Sequence, residues 1–164
     1  VAEPGPVVGI LGGSRSDFPI LEKATAIFDE FGVASELRVL SAHRAPDAVA
    51  RYADEAAGRG LRVVIAGAGG AAHLAGVVAA KTTLPVIGIP IPTQVMGGLD
   101  SLLSIVQMPR GIPVATVGIG AAENAALLAI AILALLDNDL AGRLTAYRAR
   151  QTQAILDDPS NAGK

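Results

Sequence analysis

The chain has 164 residues, 51% hydrophobic but only 3% aromatic, with no tryptophan or cysteine, and its 13 basic and 15 acidic side chains leave a net charge of −2. Lack of cysteine excludes disulfides, thiolate catalysis and cysteine-ligated metals, and lack of a basic, aromatic-interleaved patch argues against a nucleic-acid surface. The longest uncharged apolar helical stretch, 125–136, falls short of the ~20 residues that span a bilayer, so no membrane role is expected.

This length predicts one domain over 1–164, with an ordered core at about 7–156. With so few aromatics the core must be filled by Ala, Val, Leu and Ile, which suits helices lying close on a parallel sheet. Residues 1–6 carry no positive segment or secretory core. Residues 7–11 form a β-branched run ended by glycines, hence a buried strand and a turn. Over 17–31 the apolar residues Phe18, Leu21, Ala24, Ile27, Phe28 and Phe31 recur at helical spacing. Ser16 or Asp17 can cap that helix, and Gly32 ends it.

Residues 36–40 give a second strand, and Pro46 opens a helix to about Ala57. A third strand is expected at 61–66, a small-residue helix at 71–80, a fourth strand at 85–90 and a helix at 97–106. A fifth strand follows at 113–117. Residues 121–136 are apolar on nearly all sides, predicting burial by more than one layer. Residues 139–156 read as an amphipathic helix, and 159–164 are expected to fray. Five strands alternating with helices predict an α/β three-layer sandwich with a five-stranded parallel sheet and an extra C-terminal helix, because parallel neighbours need crossovers. A mean hydropathy of +0.49 without a spanning segment implies apolar surface buried between subunits, hence a soluble cytoplasmic homo-oligomer.

Ligands of such sheets bind outside the carboxyl ends of the strands. Three loops fall there. Gly12-Gly13-Ser14-Arg15-Ser16-Asp17 places amides, hydroxyls and a guanidinium at a helix start, a seat suited to phosphate, although a glycine turn plus a cap explains it equally well. Its glycine spacing fits neither a P-loop nor a dinucleotide fingerprint. Asp17 is open to two roles, capping or accepting from a sugar diol. Ser41-Ala42-His43-Arg44 offers a hydroxyl, an imidazole that can move a proton either way near neutrality, and a guanidinium suited to bidentate phosphate binding.

In Ala66-Gly67-Ala68-Gly69-Gly70-Ala71-Ala72-His73 the glycines permit close approach of a ligand, and the following helix start can hold a carboxylate. His73 is open to two readings, a ligand contact or packing, and is not assigned catalysis. Residues 94–100 and 104–110 form a fourth candidate rim. With two histidines and no histidine–carboxylate cluster at ligand spacing, no metal site is expected.

Ser41-Ala42-His43-Arg44 with Pro46-Asp47, residues 66–74, Ala79-Ala80-Lys81-Thr82 and Leu99-Asp100-Ser101-Leu102-Leu103-Ser104-Ile105-Val106-Gln107-Met108-Pro109 together resemble the class I PurE family, the N5-carboxyaminoimidazole ribonucleotide mutases of purine synthesis. The resemblance covers 7 to about 136 in order. It implies a flavodoxin-like sandwich assembled as an octamer, with no metal, ATP or organic cofactor, in which a carboxyl group moves from N5 of a small ribonucleotide carbamate to C4 of its imidazole. Residue by residue, it implies Ser14 and Ser16 at the phosphate, Asp17 at the ribose, and Ser41 and Arg44 on the phosphate side. His43 becomes the acid/base, and Gly69, Gly70, Ala71, His73 and Leu74 surround the base and carboxylate. A small dry pocket of Ala and Gly would retain carbon dioxide.

The sequence departs from the family at Gly12, where methionine is usual, and in the short segment 119–124. Rival readings are a class II carboxylase of the same fold, which takes free carbon dioxide, and a non-catalytic flavodoxin-like nucleotide-binding module.

Overall fold

The computed structural model describes residues 5–161, so the stretch expected to fray, 159–164, lies partly outside them. Five strands form one sheet: β1 Val8–Gly12, β2 Ser35–Val39, β3 Val63–Ala68, β4 Val86–Pro90 and β5 Ala115–Thr116. Their order is β2-β1-β3-β4-β5 and every pairing is parallel. This is the flavodoxin-like α/β arrangement expected from the sequence. Every residue of β1, β3 and β4 is buried, as central parallel strands covered on both faces require.

The helices are α1 Phe18–Glu30, α2 Pro46–Ala56, α3 Leu74–Ala79, α4 Leu99–Val106, α5 Ala122–Leu133 and α6 Asn138–Leu156. One face of the sheet packs Leu11, Val64 and Ala66 against Val49 and Tyr52 of α2, Ala75 and Val78 of α3, and Ile105 of α4. Small residues fill this layer, as the composition implies. The chain separates into two compact units, one ending at Ala129 that holds the whole sheet with α1–α4, and one from Ile130 that holds α6. Asp137 caps α6 by accepting the Leu140 amide at 2.9 Å. Among the described residues no helix is long and apolar enough to cross a membrane.

Several features differ from expectation. Strand β5 is shorter, Ala115–Thr116 where 113–117 was expected. Asp17 stands at the N-cap of α1, as expected, but its side chain makes no cap bond there; the capping bonds lie one turn earlier, where Ser14 and Asp17 close a reciprocal box around the 3-10 turn Arg15–Asp17. Strand β3 runs on through Gly67 and Ala68, which pair with Gly12 of β1 and Pro90 of β4; pairing on both sides supplies what poor β propensity lacks. Helix α3 starts at Leu74 instead of 71, since the amides of Ala72 and His73 bond the carbonyls of Gly70 and Ala71, only two residues back. Helix α5 is buried on a single stripe, Ala122, Ala125, Ala126, Ala129 and Ile130, while Leu128 is exposed. The 3.6-residue period singles out that alanine stripe, and uniform apolarity had hidden it. At the chain end, Pro159–Asn161 forms a 3-10 turn.

Strand β2 is tied to α2 by one polar cluster. Glu36 accepts from the Tyr52 hydroxyl at 2.8 Å, from Arg38 at 2.7 Å and from Arg59. Both guanidiniums also lie over the Tyr52 ring, 5.8 Å and 5.0 Å from its centroid. The Tyr52 hydroxyl fills the space beside Gly9, where a Cβ would lie 2.0 Å from it, so β1 must be bare at that point. Burial alone would raise the Glu36 carboxyl, but the hydrogen bonds from Arg59, Tyr52 and Arg38 outweigh it and hold the carboxyl below its usual value of 4.5. The stabilisation is therefore present above that value and lost as pH falls through the lower folded value.

Glu36→Gln should destabilise the fold by about 1–3 kcal/mol near neutrality. In urea titrations the gap from the unsubstituted protein should narrow as pH falls below 4.5. A gap that does not change with pH would reject an ionised Glu36 as its source.

Candidate active site

In this strand order β1 and β3 are neighbours, and the chain leaves them toward opposite edges of the sheet. The crevice outside their carboxyl ends is where such folds hold ligands. A cavity of about 610 Å³ lies there, lined by Ser14, Ser16, Asp17, Ser41, His43, Arg44, Gly69, Ala71, His73 and Leu74, with Gly13, Ala42, Ala68, Ile91 and Pro92. All the residues expected at a site reach it except Gly70, whose N–H and carbonyl both turn toward α4. From the fourth rim, 94–100 and 104–110, no residue lines the wall; Ile91 and Pro92 after β4 take that position.

The first loop is built by its capping box. The Ser14 amide donates to Asp17 Oδ2 at 3.0 Å, and the Ser16 amide and hydroxyl both donate to Ser14 Oγ, at 3.3 Å and 3.0 Å. Asp17 is 7% exposed. Burial pushes its carboxyl above the ordinary value, against the opposing pull of the Ser14 and Gly13 amides, the Ser16 hydroxyl and the Arg44 charge. A carboxylate short of water is well suited to accept further hydroxyl donors. Gly12, the departure from the family pattern, remains in β1 and accepts the Leu40 amide at 2.9 Å, so the strand continues through it.

Arg44 ties the second loop to the first. Its Nη2 donates to the Gly13 carbonyl at 2.7 Å, while its Nε and its backbone amide both donate to Ser41 Oγ at 3.2 Å. The guanidinium is thus oriented by loop backbone, and its exposed edge keeps donors available to an anion.

The two histidines meet. His43 Nε2 and His73 Nδ1 are 2.7 Å apart, and the rings are edge-to-face with centroids 4.8 Å apart. One of these nitrogens must donate and the other accept, so the junction holds a single proton. Both rings are exposed in the single chain, so the pocket is open rather than enclosed, although Ala42, Ala68, Gly69, Ala71, Ile91 and Pro92 make its wall small and apolar. Among the described residues no cluster of three or more His, Cys, Asp or Glu could hold a metal ion.

Two further serines belong to this neighbourhood. The Ser101 hydroxyl accepts the Gly70 amide at 2.9 Å and donates to the Ile91 carbonyl at 2.7 Å. Ser104 Oγ lies 3.1 Å from the Gly70 carbonyl. The sequence offered one signal for them: two hydroxyls three apart on α4 share the side turned from the apolar Leu99, Leu103 and Val106.

The fold and this cavity define a flavodoxin-like α/β enzyme. The chain belongs to the AIR carboxylase family, whose model matches residues 7–154. It is 52% identical over 157 residues to the N5-carboxyaminoimidazole ribonucleotide mutase of Vibrio cholerae, covering 94% of this chain and 98% of that one. It is 55% identical over 150 residues to the mutase of the same name from Mycobacterium tuberculosis, covering 92% and 86%. The crystal structure of Treponema denticola PurE superposes with a TM-score of 0.87 at 32% identity, over 97% of this chain and 99% of that one.

Proposed function

We propose that this enzyme converts N5-carboxyaminoimidazole ribonucleotide to 4-carboxy-5-aminoimidazole ribonucleotide in purine biosynthesis, with His43 as the acid/base. The observation that carries the reading is the His43–His73 pair at 2.7 Å, set in one cavity with the Ser14–Asp17 turn and Arg44, in a chain that is 52–55% identical to mutases of that name.

The chemistry balances on one proton. Breaking the carbamate C–N bond needs a proton at N5 and releases carbon dioxide and the aminoimidazole. C4 of that ring is enamine-like and forms the new C–C bond to carbon dioxide. C4 is then tetrahedral, and removing its hydrogen restores aromaticity. His43 delivers the first proton and removes the second, and His73 fixes the ring that does so. Ser14, Ser16, Ser41 and Arg44 hold the phosphate and Asp17 the ribose hydroxyls, so remote binding energy positions the ring. Gly69, Ala71 and Leu74 form the carboxylate end, while Gly70, expected there, is turned to α4 and supports it from behind. The reaction needs no metal or organic cofactor, because the electrons move within the substrate.

Both histidines are exposed in the single chain, and released carbon dioxide must not escape. The reading therefore includes a cytoplasmic homo-octamer. Its support on this chain is the exposed outer side of α4, with Leu99, Leu103 and Val106 each about half exposed and Val95 and Met96 beside them.

A second reading, carboxylation of the unsubstituted aminoimidazole ribonucleotide by free carbon dioxide, is favoured by the description of the family itself. Incubation with each substrate, followed by product absorbance, separates the two. Turnover of the carbamate is expected. Turnover only of aminoimidazole ribonucleotide plus bicarbonate would establish the second reading. Sedimentation of the same preparation at the mass of one chain would reject the octamer.

A further inference from the structure

Helix α4 holds the loop that joins β3 to α3 by the N–H and the carbonyl of a single residue, Gly70. Gly70 has φ of +67°, a conformation that glycine adopts without strain. Its N–H is taken by Ser101 and its carbonyl by Ser104. Ser101 is completely buried, and both hydrogen-bonding capacities of its hydroxyl are used, since it also donates to Ile91. The Ser104 hydroxyl is shared between the Gly70 and Asp100 carbonyls, at 3.1 Å and 2.8 Å. Helix α4 is in turn moored to the loop after β4, where Thr93 donates to Asp100 at 2.8 Å.

On either side of this fixed residue the loop is free to serve a ligand. The amides of Gly69 and Ala71 take no acceptor among the described residues, and both residues line the cavity. Three residues beyond Gly70 stands His73, whose position against His43 depends on the same backbone.

We propose that Ser101 and Ser104 are positioning residues for the carboxylate end of the site. They hold the Gly70 N–H and carbonyl away from the cavity, so that the Gly69 and Ala71 amides face the migrating carboxylate and His73 stays against His43. This inference rests on the mutase reading of the cavity. An amide pair fixed before the substrate arrives costs no reorganisation when charge appears on the carboxylate. Displacement by about 1 Å at such a position costs on the order of a hundredfold in rate. The phosphate end is built from the capping box and Arg44, which share no hydrogen bond with α4, so it should not respond.

The test uses Ser101→Ala, Ser104→Ala and Ser104→Thr in the full chain. For Ser101→Ala, kcat on the carbamate should fall about 10- to 100-fold, while the Kd for ribose 5-phosphate changes less than about twofold. Ser104→Ala should lose about tenfold in kcat, and Ser104→Thr, which keeps the hydroxyl, should recover most of it. Exchange of the loop's hydrogen-bonded amides, Gly70, Ala72 and His73, should accelerate in both alanine variants and stay unchanged in β1. Unchanged kcat in Ser101→Ala, equal losses in kcat and ribose 5-phosphate affinity, or no rescue by threonine would each overturn the proposal. Should Ser101→Ala fail to fold, the Ser104 pair decides. Should the unsubstituted protein fail to turn over the carbamate, the mutase reading falls, and the exchange measurement still decides the clamp: unchanged exchange at Gly70, Ala72 and His73 rejects it.

Discussion

His43→Asn should fold, bind the ribonucleotide and lose turnover by roughly two to four decades, the scale of a general acid–base contribution or somewhat more. Asparagine retains a polar group near the same place and can still hydrogen-bond His73, but it cannot accept and return a proton at working pH. The proposed reaction needs one proton delivered to N5 and one removed from C4, and no other ring nitrogen in the cavity stands where His43 does. His73 is coupled to it at 2.7 Å, yet a partner that fixes a tautomer contributes less than the group that transfers the proton. Steady-state kcat together with the Kd for ribose 5-phosphate checks the expectation. Turnover within a few-fold of the unsubstituted enzyme would remove His43 from the acid/base role. Equal loss of binding and turnover would make it a binding residue.

Arg44→Ala should act in the opposite sense, on affinity first. Losing a charge-assisted pair to phosphate costs about 1.5–3 kcal/mol, or roughly 10- to 100-fold in the Kd for ribose 5-phosphate. Part of the loss comes from the loops themselves, because Nη2 and Nε fasten Gly13 and Ser41. Arg44→Lys separates the two contributions. Lysine keeps the charge but not the fork, so it should restore salt-sensitive affinity without full recovery. The exposed position of Arg44 predicts little change in Tm. Calorimetric binding at low and high salt is the measurement, and an affinity unaltered in Arg44→Ala would assign the phosphate elsewhere.

Much of this architecture was legible before any coordinate. Five short β-branched runs separated by 3.6-periodic segments allow few arrangements other than a parallel sheet with covering helices, because parallel strands require crossovers. Polar loops at strand ends then marked Ser14, Asp17, Ser41, His43, Arg44 and His73 by position, and the topology carries all of them to one cavity.

Other features depend on distances between segments remote in sequence. Thirty positions separate His43 from His73, and only the pairing of β1 with both β2 and β3 brings their loops together. Composition made His73 a loop residue of two possible uses; proximity makes it the hydrogen-bond partner of His43. The extension of β3 through Gly67 and Ala68 was equally hidden, since bare residues show no β propensity and their strand character comes from neighbours on both sides. The hold of Ser101 and Ser104 on Gly70 showed in sequence only as two hydroxyls on one side of a helix, with nothing to say what they grip. Sequence by itself determined the elements, their order and the chemistry offered at each strand end, because these follow from local propensity and alternation. Tertiary structure decided which donors meet which acceptors, because hydrogen bonds require a precision of tenths of an ångström that only the packed sheet supplies.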